Sequence, residues 1–321
     1  MHLMSKVRIG VAGANGAFGS KHLDALAQID EVEIVAVMAT TLDKANGVAD
    51  KHSIPNRFDN YDQMLGLSDL DAVILATPTQ IHAEQGLKAM AAGKHVLIEI
   101  PMADTLADSE ALLAKQKETG LVAMAGHVRR FNPSHQWVHN KIVAGELSVQ
   151  QMDIQTYFFR RTNMNAKGEP RSWTDHLLWH HACHSIDLFR YQAREEVTEV
   201  HAIQGPTHPD LGIAMDMSIL MKTETGKLCT LSLSFNNNGP LGSYFRYICN
   251  NGTYIASYDD LYDGHNNKID VSDVDVSLNG IELIDREFVS SILERKVPNS
   301  SLEQCLPAMR IMHEIEHKMT K

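Results

Sequence analysis

Val7-Arg8-Ile9-Gly10-Val11-Ala12-Gly13-Ala14-Asn15-Gly16-Ala17-Phe18-Gly19 is the stretch that decides the fold. An apolar run of strand length meets three glycines spaced G-x-x-G-x-x-G, and a helix-compatible segment, 17–29, follows. Glycines let the backbone turn tightly and approach a pyrophosphate, and the next helix offers N–H donors and the positive end of its dipole. The spacing is one residue longer than the usual G-x-G-x-x-G, and a lone glycine pattern is a weak signal. With a strand before it, a helix after it and a βαβ continuation, it reads as a dinucleotide-binding fingerprint. Gly13, Asn15, Gly16, Ala17, Phe18 and Gly19 are its candidate cofactor contacts.

Working outward, short apolar runs at 6–12, 31–39, 72–76, 95–98 and 121–125 alternate with helix-length segments such as 17–29, 81–92 and 105–119. Gly93 and Gly120 stand where left-handed C-caps belong. Strands alternating with helices predict a doubly wound parallel sheet, an α/β Rossmann domain over 1–127. The pattern changes afterwards. A helix at 133–144, a long strand at 150–160 and a helix at 174–191 precede strand-like runs at 197–204, 213–223, 227–235 and 244–255. The last run contains Asn250-Asn251-Gly252, a hairpin signal. Helices at 281–293 and 301–319 close the chain. The second domain, 128–321, is thus expected to be α+β with an open, mostly antiparallel sheet. The loop 162–171 is a candidate lid.

The length of 321 residues favours two domains. A formal net charge of −11 argues against nucleic acid as a partner. No apolar run reaches the ~18 residues of a membrane span, and the N-terminus lacks a signal-peptide pattern. Cys183, Cys229, Cys249 and Cys305 are widely spaced without a C-x-x-C pair. Together these predict a cytoplasmic protein with neither a membrane partner nor a disulfide framework.

The second strand ends in Thr40 and Thr41, with Lys44 following. A carboxylate near this point would hold an NAD ribose, whereas hydroxyls and a lysine suit a 2′-phosphate. The preferred cofactor is therefore NADP, with NAD as the weaker possibility because Asp43 lies close by. Thr40 and Thr41 are also suited to capping the next helix.

The glycine loop, Thr77-Pro78-Thr79-Gln80-Ile81-His82, Glu99-Ile100-Pro101 and Gly126-His127 resemble the Gfo/Idh/MocA oxidoreductase family over nearly the whole chain. The resemblance implies nicotinamide chemistry and cofactor contacts at Thr77, Pro78, Thr79, His82, Glu99 and Pro101. It also implies association of subunits, as a homodimer, through the second-domain sheet. A narrower resemblance to one branch is carried by 126–135, 157–161, 163–173 and 174–181. It implies oxidation of a cyclic hemiacetal bearing two carboxylates. Two departures from the broad family stand out. Ile100 replaces the lysine of a usual Glu-Lys-Pro, and His180 stands where an aspartate precedes a histidine by four residues. A sugar or polyol dehydrogenase, the alternative enzyme, would keep both. A non-catalytic NADP-binding sensor is the alternative from another class.

Trp179-His180-His181-Ala182-Cys183-His184-Ser185-Ile186-Asp187 sits on the predicted helix, with 180, 184 and 187 on one face. A hemiacetal hydroxyl must lose a proton as hydride leaves, and neutral imidazole is a suitable base. His184 is the favoured base, His180 the holder of the hydroxyl, and Asp187 an orienting partner. Histidines four apart can also hold zinc, but Cys183 points about 100° away from His184 on an α-helix and no H-E-x-x-H is present, so no metal site is assigned. Packing is the structural alternative for each histidine. For a dicarboxylate substrate, Arg129, Arg130, Arg160, Arg161 and Arg171 are the candidate partners, since guanidinium grips carboxylate in a fork. Trp173 and His181 are further substrate candidates. Only one of Arg160 and Arg161 is expected to face the site.

Overall fold

The computed structural model describes residues 6–164, 168, 170–171, 174–272 and 280–319. The described residues fall into two compact units. One belongs to Met1–His127 together with Ile281–Leu306, the other to Val128–Gly280 together with Pro307–Lys321. The sequence division at 127 coincides with the first crossing. The return of Ile281–Leu306 to the first unit has no counterpart in that division.

The first unit is built on β1 (Val7–Ala12), β2 (Val32–Met38), β3 (Asn56–Phe58), β4 (Ala72–Leu75), β5 (His95–Ile98) and β6 (Ala123–Ala125). All pair parallel in the order β3-β2-β1-β4-β5-β6. Strands covered on both faces need to be apolar throughout, and the fully buried run Ala72–Leu75 is the plainest case. The helices are α1 (Ala17–Leu26), α2 (Leu42–His52), α3 (Tyr61–Leu65), α4 (His82–Ala91) and α5 (Leu106–Thr119). Thr105 accepts from the Asp108 amide at the start of α5, and left-handed Gly120 ends it. The elements α2, β3 and α3 had not been assigned individually. β3 has only three residues, too few for periodicity to register.

The second unit holds α6 (Pro133–Val143), β7 (Val149–Tyr157), α7 (Cys183–Ala193), β8 (Val197–Gln204), β9 (Asp216–Thr223), β10 (Leu228–Ser234), β11 (Gly242–Cys249), β12 (Gly252–Ser257), β13 (Asp260–Asp263) and β14 (Lys268–Ile269). The sheet order is β14-β13-β12-β11-β7-β10-β9-β8, and only β7 with β10 runs parallel. The run at 244–255 folds back at Asn250-Asn251, so Cys249 faces Gly252 across a two-residue turn. Strands β9 and β10 alternate buried and less buried residues. One sheet face is therefore core. The register puts Leu228, Thr230 and Ser232 opposite Lys222, Leu220 and Ser218 on the other face. Helix α6 packs against β12 and β13, and α7 against β7.

Two helices remain, α8 (Ile281–Glu294) and α9 (Leu302–Met319). Ile281, Ile284, Phe288 and Val289 line the buried stripe of α8. The division between units falls inside α9, at Pro307. All four cysteines are buried. No helix among the described residues is long and apolar enough to cross a membrane.

Candidate active site

In the first unit the expected cofactor residues gather at the carboxyl ends of β1, β2, β4 and β5. The switch in strand order between β1 and β4 makes this edge the binding crevice of a doubly wound sheet. Gly13 is left-handed, with φ 79°, and a Cβ there would lie 2.3 Å from the Ala76 carbonyl oxygen. A Cβ on Gly19 would meet the Gly13 oxygen at 2.3 Å. Both glycines are therefore dictated by backbone packing, which lets α1 start directly above β1. Gly16 caps α1 without a side-chain hydrogen bond, and the first turn carries no acid. That end is matched to an anion, so these residues fit a dinucleotide pyrophosphate. The chemistry such a cofactor supplies when bound is hydride acceptance at its nicotinamide.

Thr40, Thr41 and Lys44 are exposed after β2, and Thr41 accepts from the Lys44 amide as N-cap of α2. The capping role weighed from sequence is thus real for Thr41, while Thr40 stands before the cap. Thr77 donates to Gln85 at 2.6 Å. Pro78 and Thr79 follow it in the loop after β4, and Thr79 is buried. His82 is buried with its ring nitrogens 2.8 Å from the carbonyl oxygens of Pro101 and Thr77. Burial pulls its pKa below the ordinary imidazole value. It braces the loop after β4 against the loop after β5. Glu99 lies directly beyond β5, and the Ile100–Pro101 peptide is cis.

In the second unit the predicted single helix over 174–191 is interrupted. Leu177–Ala182 wraps as a π-helix, and α7 begins at Cys183. Such a turn frequently marks a functional site, and a sequence pattern read at helical period does not reveal it. His180 lies in the π-turn and His184 in the first turn of α7. The His176 amide donates to His180 Nδ1 at 3.0 Å. A neutral His180 ring therefore carries its proton on Nε2 and presents a donor there. That donor is suited to a hydroxyl oxygen.

Asp187 is fully buried, and both its oxygens accept from Arg130, at 2.7 Å from Nε and 2.6 Å from the terminal nitrogen. Any support it lends His184 comes from a neutralised ion pair instead of a lone carboxylate. Arg130 also lies 4.8 Å over the Tyr191 ring. Its charge is committed inside the unit, contrary to the expectation that it serves a substrate carboxylate. Arg129 is buried too, bonded to Asn132 and 4.8 Å over Tyr258.

Arg160, Arg171 and His181 converge on one acid that the sequence reading missed, Asp175. Arg160 pairs with both of its oxygens, Arg171 donates to Oδ1 at 2.9 Å, and His181 Nε2 lies 3.2 Å from Oδ2. Burial, reinforced by the two guanidinium groups, lowers the His181 pKa to about 3, so this ring is neutral. Among the described residues, two guanidinium groups and one imidazole thus share the Asp175 carboxylate. The i,i+4 spacing of Arg171 and Asp175 was its only sequence signal. Arg161 turns outward, donating to the Arg160 and Phe235 carbonyls. Both arginines lie beyond the end of β7, so strand alternation is not what sends them in different directions. Trp173 and part of the 162–171 loop lie outside the described residues. Met164 and Pro170 bridge the flanks of that loop, and Arg171 donates to the Asn163 carbonyl.

Residues 7–127 match the family described as an oxidoreductase family with an NAD-binding Rossmann fold, and 133–275 match the C-terminal domain of bacterial oxidoreductases. Over 98% of its length the chain is 61% identical to a 4-carboxy-2-hydroxymuconate-6-semialdehyde dehydrogenase from Sphingobium sp., covering 99% of that protein. It is 28% identical to the scyllo-inositol 2-dehydrogenase (NAD(+)) of Bacillus subtilis over 61% of this chain and 56% of the other. Among solved structures, an oxidoreductase domain protein from Kribbella flavida shares the fold with a TM-score of 0.86 at 19% identity, over 99% of this chain and 98% of the other. A scyllo-inositol dehydrogenase from Lactobacillus casei does so with a TM-score of 0.82 at 18% identity, over 98% and 97%. The glycine loop, the switch-point edge and these matches along the chain make it a nicotinamide-dependent dehydrogenase of the Gfo/Idh/MocA oxidoreductase family.

Proposed function

We propose that the enzyme oxidises the cyclic hemiacetal of 4-carboxy-2-hydroxymuconate-6-semialdehyde to 2-pyrone-4,6-dicarboxylate, in the protocatechuate 4,5-cleavage pathway, with NADP preferred over NAD. The 61% identity over 98% of the chain carries this reading. The gathering of Arg160, Arg171 and His181 at Asp175 supports a substrate with carboxylates. Arg160 and Arg171 bind a substrate carboxylate, and the neutral His181 ring lines the same site. His180 holds the carbinol oxygen through Nε2–H. His184 takes the hydroxyl proton as the C–H bond gives up its hydride, and the C–O bond becomes the lactone carbonyl. The first-unit loops after β1, β2, β4 and β5 hold the dinucleotide. The deciding experiment is steady-state oxidation of the ring-cleavage semialdehyde with each dinucleotide. Turnover only of inositols or sugars would establish the polyol reading instead, and binding without turnover the sensor.

Replacing Arg171 with alanine is expected to raise KM for the semialdehyde roughly tenfold to a hundredfold, the range for a lost hydrogen bond to a charged group. Unchanged KM in both Arg160→Ala and Arg171→Ala would move carboxylate recognition elsewhere. Thr40→Asp tests the cofactor preference. A carboxylate facing the 2′-phosphate costs several kcal/mol, so NADP should weaken by at least about tenfold while NAD changes little. Equal losses would remove Thr40 from the phosphate site.

The open sheet face carries Ile203, Leu220, Leu228 and Tyr244 as exposed large apolar residues. A second copy of the chain covers it in the proposed homodimer. Light scattering on Leu220→Arg, with monomer as the expected product, checks this.

A further inference from the structure

Gly126 has no room for a side chain, and a carboxylate is the reason. A Cβ there would sit 3.0 Å from Cα, Cδ and Oε2 of Glu99. The same carboxylate is held from two sides. Oε2 accepts from the Ile100 amide at 3.2 Å, and Oε1 lies 2.9 Å from His22 Nε2. His22, on α1, is fully buried, and its Nδ1 lies 2.8 Å from Oδ1 of Asp285, a fully buried residue of α8. Both ring nitrogens thus face carboxylate oxygens. A neutral imidazole has one N–H and would present a lone pair to one of the acids, whereas the imidazolium donates to both.

We infer that His22 is a positioning residue, a buried imidazolium that keeps the Glu99 carboxylate oriented at the cofactor edge, with Asp285 as its second counter-ion. The inference rests on the reading of Glu99 as a cofactor contact. Burial alone would lower the His22 pKa. Asp285 and Glu99 outweigh it and hold the ring charged up to about 10. Burial in turn pushes Asp285 up, and His22 opposes that. Glu282 of α8 is the further acid acting on Asp285, and Arg286 binds it at 2.6 Å. Because the folded value lies above the unfolded one, the stabilisation from these pairs is complete below about pH 6.5. It is lost as pH rises through about 10.

The first test is 15N NMR of the histidine side chains in the intact enzyme. Two protonated ring nitrogens on His22 from pH 6 to 9 support the inference, and a neutral ring in that window overturns it. The second is NADPH binding, followed by its fluorescence over the same range. His22→Gln should weaken binding roughly tenfold or more, by a factor that stays the same across this pH range. Asp285→Asn keeps the His22–Glu99 bond but removes a counter-ion, so its affinity should fall as pH rises and His22 deprotonates. A slope in Asp285→Asn and none in His22→Gln are a signature that a merely structural role would not give. Should His22→Gln fail to fold, the Asp285→Asn slope and the NMR spectrum still decide. In Glu99→Gln the affinity should drop without a slope, and adding His22→Gln should bring no further loss. If Glu99→Gln binds NADPH like the wild type, the reading of Glu99 falls, and with it the cofactor role of His22, while the NMR spectrum still reports the charge. If Glu99→Gln weakens binding but His22→Gln and Asp285→Asn give neither loss nor slope, the positioning role is wrong.

Discussion

The His184→Ala enzyme is expected to turn over ~10²–10⁴-fold more slowly than the wild type, the usual contribution of a general base, with its affinity for the dinucleotide unchanged. The warrant is the local build of the chain. Leu177–Ala182 is wound as a π-helix, and the first turn of α7 follows at once. His180 uses Nδ1 as an acceptor from the His176 amide, so its neutral ring offers a donor at Nε2. His181 faces Asp175 and stays neutral, with a pKa lowered to about 3 by burial and two arginines. Of the three histidines, His184 is therefore the one assigned to accept a proton. On the proposed assignment the neutral His184 ring is the base, so kcat/KM should show a limb that rises with pH. That ascending limb should be missing in His184→Ala and retained in His181→Asn. Wild-type kcat and an intact limb in both His180→Ala and His184→Ala would make these histidines structural.

Why the glycine loop was legible and the histidine–carboxylate contacts were not is a matter of distance along the chain. Gly13 and Gly19 are fixed by atoms of their own βαβ unit, so local sequence states the requirement directly. The parallel strands are equally local, since covered strands must be apolar along their length. His22, by contrast, meets Asp285 across 263 residues. On a helical wheel it looks like one more polar position of α1. Asp175 gives the same lesson. Its two arginines come from the segment after β7 and the following loop, and nothing in their spacing announces a shared partner beyond one i,i+4 pair. The π-turn escaped for a different reason. Apolar positions at 177–179 and 182 satisfy an α-helical pattern closely enough that a single wider turn leaves no trace. For Asp187 the face argument, which also assumed one regular helix through His180, was silent about neighbours. The 3₁₀ turn Val128–Arg130 brings the guanidinium that takes its charge.

That ion pair leads to the second large effect. Side chains of Arg130 and Asp187 are only 3% and 1% exposed, and the two bonds are parallel and charge-assisted. The net worth of such a pair against an apolar one is small, because both charges had to be taken out of water. Losing one partner is another matter, since it strands the other charge in the interior, at a cost of about 3–5 kcal/mol. Asp187→Ala should therefore lower the melting temperature of the second unit by about 6–20 °C, taking roughly 2–4 °C per kcal/mol for a domain of this size. Arg130→Met alone should cost a similar amount. The double variant Arg130→Met/Asp187→Ala should recover part of the loss, because it leaves no unpaired charge. Thermal unfolding of the four proteins, followed by the near-ultraviolet signal of the second unit's tryptophans, measures this coupling directly. Additive losses in the double variant, or an Asp187→Ala protein as stable as the wild type, would show that the pair does not anchor α7. Recovery of stability without recovery of kcat in the double variant would separate the two roles of Asp187, since the fold would then tolerate an apolar pair that the His184 chemistry does not.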